Sequence, residues 1–329
     1  MKLKLSKRKV SAAAFAAALL STTVMSGCSS GSASDDAHVI KLVVSEGNSL
    51  PFIAAEAGNG LGVWKDKGIT VEIVDASSST VGPTMASREA DISLQAGNKA
   101  VADIVAGLEA TLAAGCVLPW DQYLVAAPAS HAEKAADLKD GKFGISGFGS
   151  AGHFATLSVA KSLGWGKADY QVVQMGGLEN LVAGLKNKTI DAFIWSIDPV
   201  MTAEQAGYGK NLGSVAELVG PNAFEAFSVR DAVAKERPED VKAFFEGYYE
   251  AVKQLQADPQ KAIDVMVNDW KQDRAIAEKT VPLLLPILST DGKIPDENLQ
   301  GLSDAVHLTV ENAKDFDVSK VYTYWQDLG

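Results

Sequence analysis

The chain has 329 residues, 47% of them hydrophobic, with 30 Lys and Arg against 41 Asp and Glu and a formal net charge of −11. That length suggests two lobes more than one, and the apolar content can fill their cores. The acidic balance repels nucleic-acid phosphates and anionic lipid, so neither is an expected partner.

The N-terminus reads as an export signal. Lys2, Lys4, Lys7, Arg8 and Lys9 form a basic start, Val10 to Leu20 is apolar apart from Ser11, and small residues lead to Ser26-Gly27-Cys28. The apolar run is too short to span a bilayer. Cys28 after Ser26-Gly27 resembles the bacterial lipoprotein box, although Met25 departs from the usual leucine. The resemblance implies that residues 1–27 are removed, that the Cys28 thiol is acylated, and that the chain is held outside the cytoplasm by lipid alone. Losing the five basic residues moves the net charge from −11 to −16. Residues 28–37, with Ser29 to Asp36 reading Ser-Ser-Gly-Ser-Ala-Ser-Asp-Asp, have nothing to bury and form a solvated tether. Cys116 is then the one remaining thiol, so no internal disulfide is expected and the core must hold the fold.

From Val39 onward, strand and helix signals alternate. Val39–Val44, Thr70–Val74 and Asp91–Leu94 are β-rich, with a helical pattern over Asn98–Ala106. The rhythm resumes at Gly141–Ser146, then Ala151–Leu163 (helix), Tyr170–Gln174, Leu178–Lys186 (helix) and Ala192–Ile194. This is the pattern of βαβ units around a parallel sheet. The last third is helical instead. Val241, Phe244, Phe245, Tyr248, Val252 and Leu255 make one stripe over Pro238–Gln256, and helices follow over Lys261–Trp270, Arg274–Leu288 and Leu302–Asn312. A tail packing back on the first lobe is expected. The halves also echo each other. Arg88–Ile92 and Lys188–Ala192 share a helix end, a turn, an aspartate and a strand start, and each leads into a loop: Gln95–Asn98 and Trp195–Asp198. Loops at strand C-terminal ends bind ligands in open α/β sheets, so these two are expected face to face across a cleft.

The order of five phrases resembles a known family. They are Gly47-Asn48-Ser49 with Pro51-Phe52-Ile53-Ala54, Leu61 to Ile69, Ala90-Asp91-Ile92, Asp137 to Ile145 running into Gly149–His153, and Ile190 to Trp195 with Asp198-Pro199. From about Val39 to Leu288 the chain resembles the solute-binding proteins of ABC importers, in the branch serving sulfonates, taurine, nitrate and thiamine-pyrimidine precursors. The resemblance implies a type II periplasmic binding protein: two α/β lobes joined by two crossover strands, with a helical C-terminal tail. The crossovers would fall near Tyr123–Ala126 and Phe224–Ser228, giving a discontinuous lobe 1 (38–126 and 222–329) and lobe 2 (127–221). It also implies a monomer that works with a permease and its ATPase.

Ser146–His153 follows a strand and opens a helix, so unpaired backbone N–H groups and partial positive charge face outward there. Gly149, Ser150 and His153 are candidates on that loop. Gly147, Gly149 and Gly152 also spell a dinucleotide fingerprint with Asp169 downstream, but the motif lies in mid-chain and no cofactor is expected. Asn48, Ser49, Ser78, Ser79, Gln95, Gly97 and Asn98 offer hydroxyls, amides and close backbone approach from the first lobe, helix capping being the competing role of the serines. Gly176, Trp195 and Asp198 are the second-lobe candidates, and Trp120 suits cleft or core equally. The four histidines show no metal-ligand spacing, and Gly144–Phe148 lacks the last glycine of a nucleophile elbow. No metal, cofactor or catalytic set is therefore expected. The ligand reads as a small organic sulfonate-like or related anion. Glu46 and Asp198 leave a thiamine-type pyrimidine or other N-heterocycle as the alternative, and an extracytoplasmic enzyme on the same fold is the reading from another class.

Overall fold

Alternating burial explains the first strand. In β1 (Val39–Ser45), Ile40, Leu42 and Val44 lie in one core cluster and Val43 in another, on the opposite face. The structure is a computed structural model that describes residues 38–310, 313 and 315–329; the expected signal segment, Cys28 and the tether lie outside the described residues. After β1 come α1 (Ile53–Leu61), β2 (Thr70–Ala76), α2 (Val81–Ala86), β3 (Ile92–Ala96), α3 (Gly97–Val105) and β4 (Ala110–Val117). The chain then builds β5 (Gln122–Ala126), β6 (Lys142–Ile145), α4 (Ala151–Ser162), β7 (Gln171–Gln174), α5 (Leu178–Lys186), β8 (Ala192–Ser196), α6 (Ile197–Gln205) and β9 (Lys210–Ser214). It ends with β10 (Glu225–Arg230) and helices α7 (Asp231–Glu236), α8 (Pro238–Ala257), α9 (Pro259–Asp264), α10 (Arg274–Leu284) and α11 (Asp296–Thr309).

Two five-stranded sheets result, ordered β2-β1-β3-β10-β4 and β7-β6-β8-β5-β9. They share one plan. Three strands run parallel, and a fourth enters antiparallel beside the third: β10 against β3, and β5 against β8. Each antiparallel strand is delivered by a crossing of the chain, residues 118–121 outward and 215–224 on the return. Tyr123–Ala126 is thus a strand inside the second sheet and not the connection between lobes, so the expected limit at residue 126 moves back to the segment between Val117 and Gln122. Likewise Phe224–Ser228 runs into β10 itself. Both strands are largely buried, with polar residues among apolar ones, and local polarity does not say which sheet pairs with them.

The sequence echo has a structural cause. Asp91 and Asp191 each precede the third parallel strand and grip the first one twice. The amide of Asp91 donates to Lys41 O at 2.8 Å and its carboxylate accepts from Lys41 N–H at 3.1 Å; for Asp191 and Lys142 both distances are 2.8 Å. Arg88 and Lys188 precede them at φ 66° and 60°, the left-handed turn that ends each helix.

The stripe on α8 is buried as expected, against β1 and α1. Trp64 fastens it: its Nε1–H donates to Phe244 O at 3.0 Å, and its ring occupies the space that a Cβ on Gly58 or Gly247 would enter. The tail is not confined to the first sheet. α10 packs on α6, and α11 packs on both α3 and α4. No helix among the described residues is long and apolar enough to cross a membrane.

Candidate functional site

The shared plan turns the C-terminal ends of the parallel strands of both sheets toward one another. Loops after β1, β2 and β6, the last residues of β3 and β8 and the first residues of β5 and β10 line an inner chamber of about 50 Å³. Glu46, Ser49, Trp195 and Ser196 also border an adjoining outer chamber of about 490 Å³, walled further by Leu178, Val182, Tyr208 and Gln272. The inner space admits a polar head group, and the outer one has the size of an ordinary small-molecule pocket.

Of the residues expected from sequence, Asn48, Ser49, Ser78, Ser150, Trp195 and Asp198 line these chambers. The others do not. Ser79 Oγ bonds Ser77 Oγ at 3.0 Å within a serine-rich turn. Gln95 reaches back to Asp103, its Nε2 donating at 3.2 Å. Gly97 carries the return crossing: its N–H donates to Phe224 O at 2.7 Å, and a Cβ there would lie 2.3 Å from Ala223 O. Asn98 is 2% exposed with neither side-chain polar atom hydrogen-bonded, yet it lies off both chambers. Gly176, at φ 91°, is also outside them.

The glycine loop ahead of α4 satisfies itself. The Gly149 N–H donates to His153 Nδ1 at 3.0 Å, and the His153 amide donates to Ser150 Oγ at 3.3 Å. Burial holds the His153 ring below its ordinary pKa, and an Nδ1 that accepts is that of a neutral imidazole. The Gly149 N–H and the His153 Nδ1 are thus occupied with each other, and neither residue lines the chambers. Ala151 and Gly152 line the inner chamber at the first turn of α4, where backbone N–H groups have no partner within the helix.

Asp198 does not face Gln95–Asn98. Its Oδ2 accepts from Gln272 Nε2 at 2.9 Å and its Oδ1 from Ser196 Oγ at 2.9 Å. Because α6 packs on α10, the helical tail meets Asp198, whereas Ala96, the last residue of β3, lines the inner chamber together with Trp195 and Ser196. Trp120 is 3% exposed and stacks with Phe154 and tilts against Phe224, so it is a core residue of the crossing. Trp195 is half-buried and borders both chambers.

Carboxylates dominate the electrostatics. Glu225, the first residue of β10, forms part of the inner wall, and burial together with Asp121 and Glu46 pushes its pKa well above the usual range. Burial also raises Glu46 and Asp198, the latter against the hydrogen bonds from Gln272 and Ser196. Asp121, in the outward crossing, is pushed up to about 7 by burial, although Gln122 Nε2 donates to it at 3.0 Å. Among the described residues that line the chambers, none is Lys, Arg or His. Nor do the described residues hold a group of three or more His, Cys, Asp or Glu side chains arranged for a metal ion. Glu225, Gln122, Ser146, Ser196 and Gln272 were not marked as site residues by sequence. Their one local signal is an acid opening an apolar strand, Glu225-Ala226-Phe227.

A raised Asp121 makes a prediction about stability. Its folded pKa lies above its unfolded value of about 3.9, so the folded state loses stability as pH rises from about 4 through about 7. Asp121→Asn should remove that loss and leave the ligand-free protein more stable than wild type at pH 8, by on the order of 1–3 kcal/mol. Urea unfolding at pH 5 and pH 8 checks it; equal slopes with pH in both proteins would contradict it.

Solved structures share this architecture. The alkanesulfonate-binding protein SsuA from Xanthomonas axonopodis pv. citri, solved with MOPS bound, aligns with a TM-score of 0.74 at 13% identity over 87% of this chain and 98% of its own. The Candida albicans CA3427 gene product, described as having the generic periplasmic binding protein fold, aligns at 0.70 and 16% identity over 85% and 92%. The nitrate-binding protein NrtA from Synechocystis PCC 6803 aligns at 0.60 and 14% identity over 70% and 66%. At these identities the likeness establishes the fold, that of a periplasmic binding protein. No curated protein sequence matches the chain. The NMT1/THI5 like family model matches residues 47–262, from the loop after β1 to α9 and hence across both sheets, and the chain belongs to that family.

Proposed function

We propose that this chain is the extracytoplasmic solute-binding component of an ABC importer, capturing one small organic molecule in the cleft between its sheets. The observation that carries the reading is the convergence of residues from both sheets on one pair of adjoining chambers, with Trp195 bordering both. The solved neighbours with named ligands are likewise binding proteins. Serine hydroxyls line the inner chamber, but no histidine does, so they have no neutral base to activate them as nucleophiles. That supports capture without turnover. Between the two ligand classes weighed from sequence, carboxylates without a lining cation favour an N-heterocycle rich in N–H donors over a sulfonate-like anion.

The chain works as a monomer with a permease and its ATPase, and it touches the membrane only through the lipid on Cys28. Cys28→Ala should abolish acyl labelling and release the protein from membranes; unchanged labelling and attachment would contradict the anchor. Cells lacking the protein should lose uptake of its solute and regain it with the wild-type gene. Unimpaired uptake would contradict the role in import.

A further inference from the structure

Glu225 occupies an unusual position for an acid. It opens β10 between Ala96 of β3 and Val117 of β4, forms part of the inner chamber wall, and is 4% exposed. Its Oε2 has no hydrogen-bond partner in the protein. The ionisable groups that bear on it offer no positive charge. Glu46, in the loop after β1, and Asp121, in the outward crossing, bear on it with negative charge, and Cys116 of β4 and Tyr248 of α8 feel its charge in turn. A carboxyl buried in such surroundings keeps its proton, because the charged form would be nearly all removed from solvent, without a counter-ion and with one oxygen unpartnered in the protein. It is therefore a socket for a group that brings its own positive charge.

We propose that Glu225 selects a cationic N–H group, an amidinium or a protonated amino-heterocycle, and that it gives up its proton as that group enters, so that capture of the ligand releases a proton. This rests on the solute-binding reading of the cleft. The O–H bond of Glu225 breaks, the proton leaves to water through the outer chamber, and the new carboxylate accepts the ligand's N–H donors; no covalent bond to the ligand forms. Glu46 supplies a second carboxylate where the chambers join, and the Ala151 and Gly152 amides offer donors to an acceptor atom on the ligand. The empty cleft thus holds a neutral acid, and the occupied one a neutralised ion pair. Affinity for a permanent cation must then rise with pH. An anion held by the protonated acid would show the opposite dependence.

Benzamidine and benzenesulfonate separate these cases, because they share a ring that suits Trp195 and keep fixed, opposite charges across the working pH range. Titration calorimetry on the full chain in phosphate and in Tris should show benzamidine binding with release of up to one proton, and binding that tightens by about tenfold per pH unit wherever a full proton is released. Glu225→Gln should abolish the release and weaken binding about tenfold or more. If that variant does not fold, the two-buffer comparison on wild type decides alone: no proton released overturns the proposal. Preferential binding of benzenesulfonate, or no binding of either probe, overturns it also and leaves the import role standing. Chemical consumption of a probe would instead overturn the solute-binding reading itself.

Discussion

Trp120→Ala is expected to cost about 3–5 kcal/mol of folding stability. Trp120 lies in the four residues that carry the chain from β4 to β5. Its ring packs 5.0 Å from Phe154 of α4 and 4.7 Å from Phe224, at the end of the return crossing, and its Nε1–H donates to Gly220 O at 3.0 Å. One side chain thus ties the outward crossing to the return crossing and to the second sheet's first helix. Truncation leaves a cavity at the place where both sheets are joined, and leaves the Gly220 carbonyl without that donor. Trp120→Phe keeps a ring and loses the hydrogen bond, so a smaller loss, about 1 kcal/mol from that bond, is expected. Equilibrium unfolding in urea measures both. A Trp120→Ala protein of wild-type stability but impaired binding would make Trp120 a cleft residue after all.

Trp195→Ala should do the reverse. The side chain is half-buried and borders both chambers, so its removal deprives the ligand of a flat apolar wall more than it deprives the core of filling. Binding should weaken by about 1.5–3 kcal/mol, roughly ten- to a hundredfold. Stability should fall by less than it does for Trp120→Ala. Trp195→Phe should recover part of the affinity, and the wild-type tryptophan emission should respond to ligand. Unchanged affinity in Trp195→Ala would place the ligand away from the junction of the chambers.

These two tryptophans show where the sequence is informative and where it is not. Trp120 stands in a loop between two strands and Trp195 near the end of an apolar one, and local pattern assigns neither to core or cleft. Partners more than thirty residues away settle the question: Phe224 for Trp120, and the loop at Glu46–Ser49 for Trp195. The alternation of strands and helices was legible because each element buries a periodic face of its own. The echo at Asp91 and Asp191 was legible because both aspartates perform one local task, holding the first parallel strand to the third. Sheet membership of β5 and β10 was not, since pairing across some 70–130 residues decides it. In the site, the glycine loop correctly marked a helix start at the cleft. What the pattern hid was a bond inside the loop, in which His153 takes up the Gly149 N–H, while Ala151 and Gly152 are the residues that line the chamber. Glu225 was hidden for a different reason. Its burial comes from strands on either side and its acidic neighbours from other segments, while locally it is one charge at the edge of an apolar run.

That the cleft carries a solute and performs no chemistry on it is tested most directly by native mass spectrometry of the chain freshly purified from cells. The expected spectrum shows one small molecule bound non-covalently per chain, released on denaturation and recovered at unchanged mass after prolonged incubation with fresh protein. A covalent adduct, or a solute whose mass changes in the presence of the protein, would contradict it.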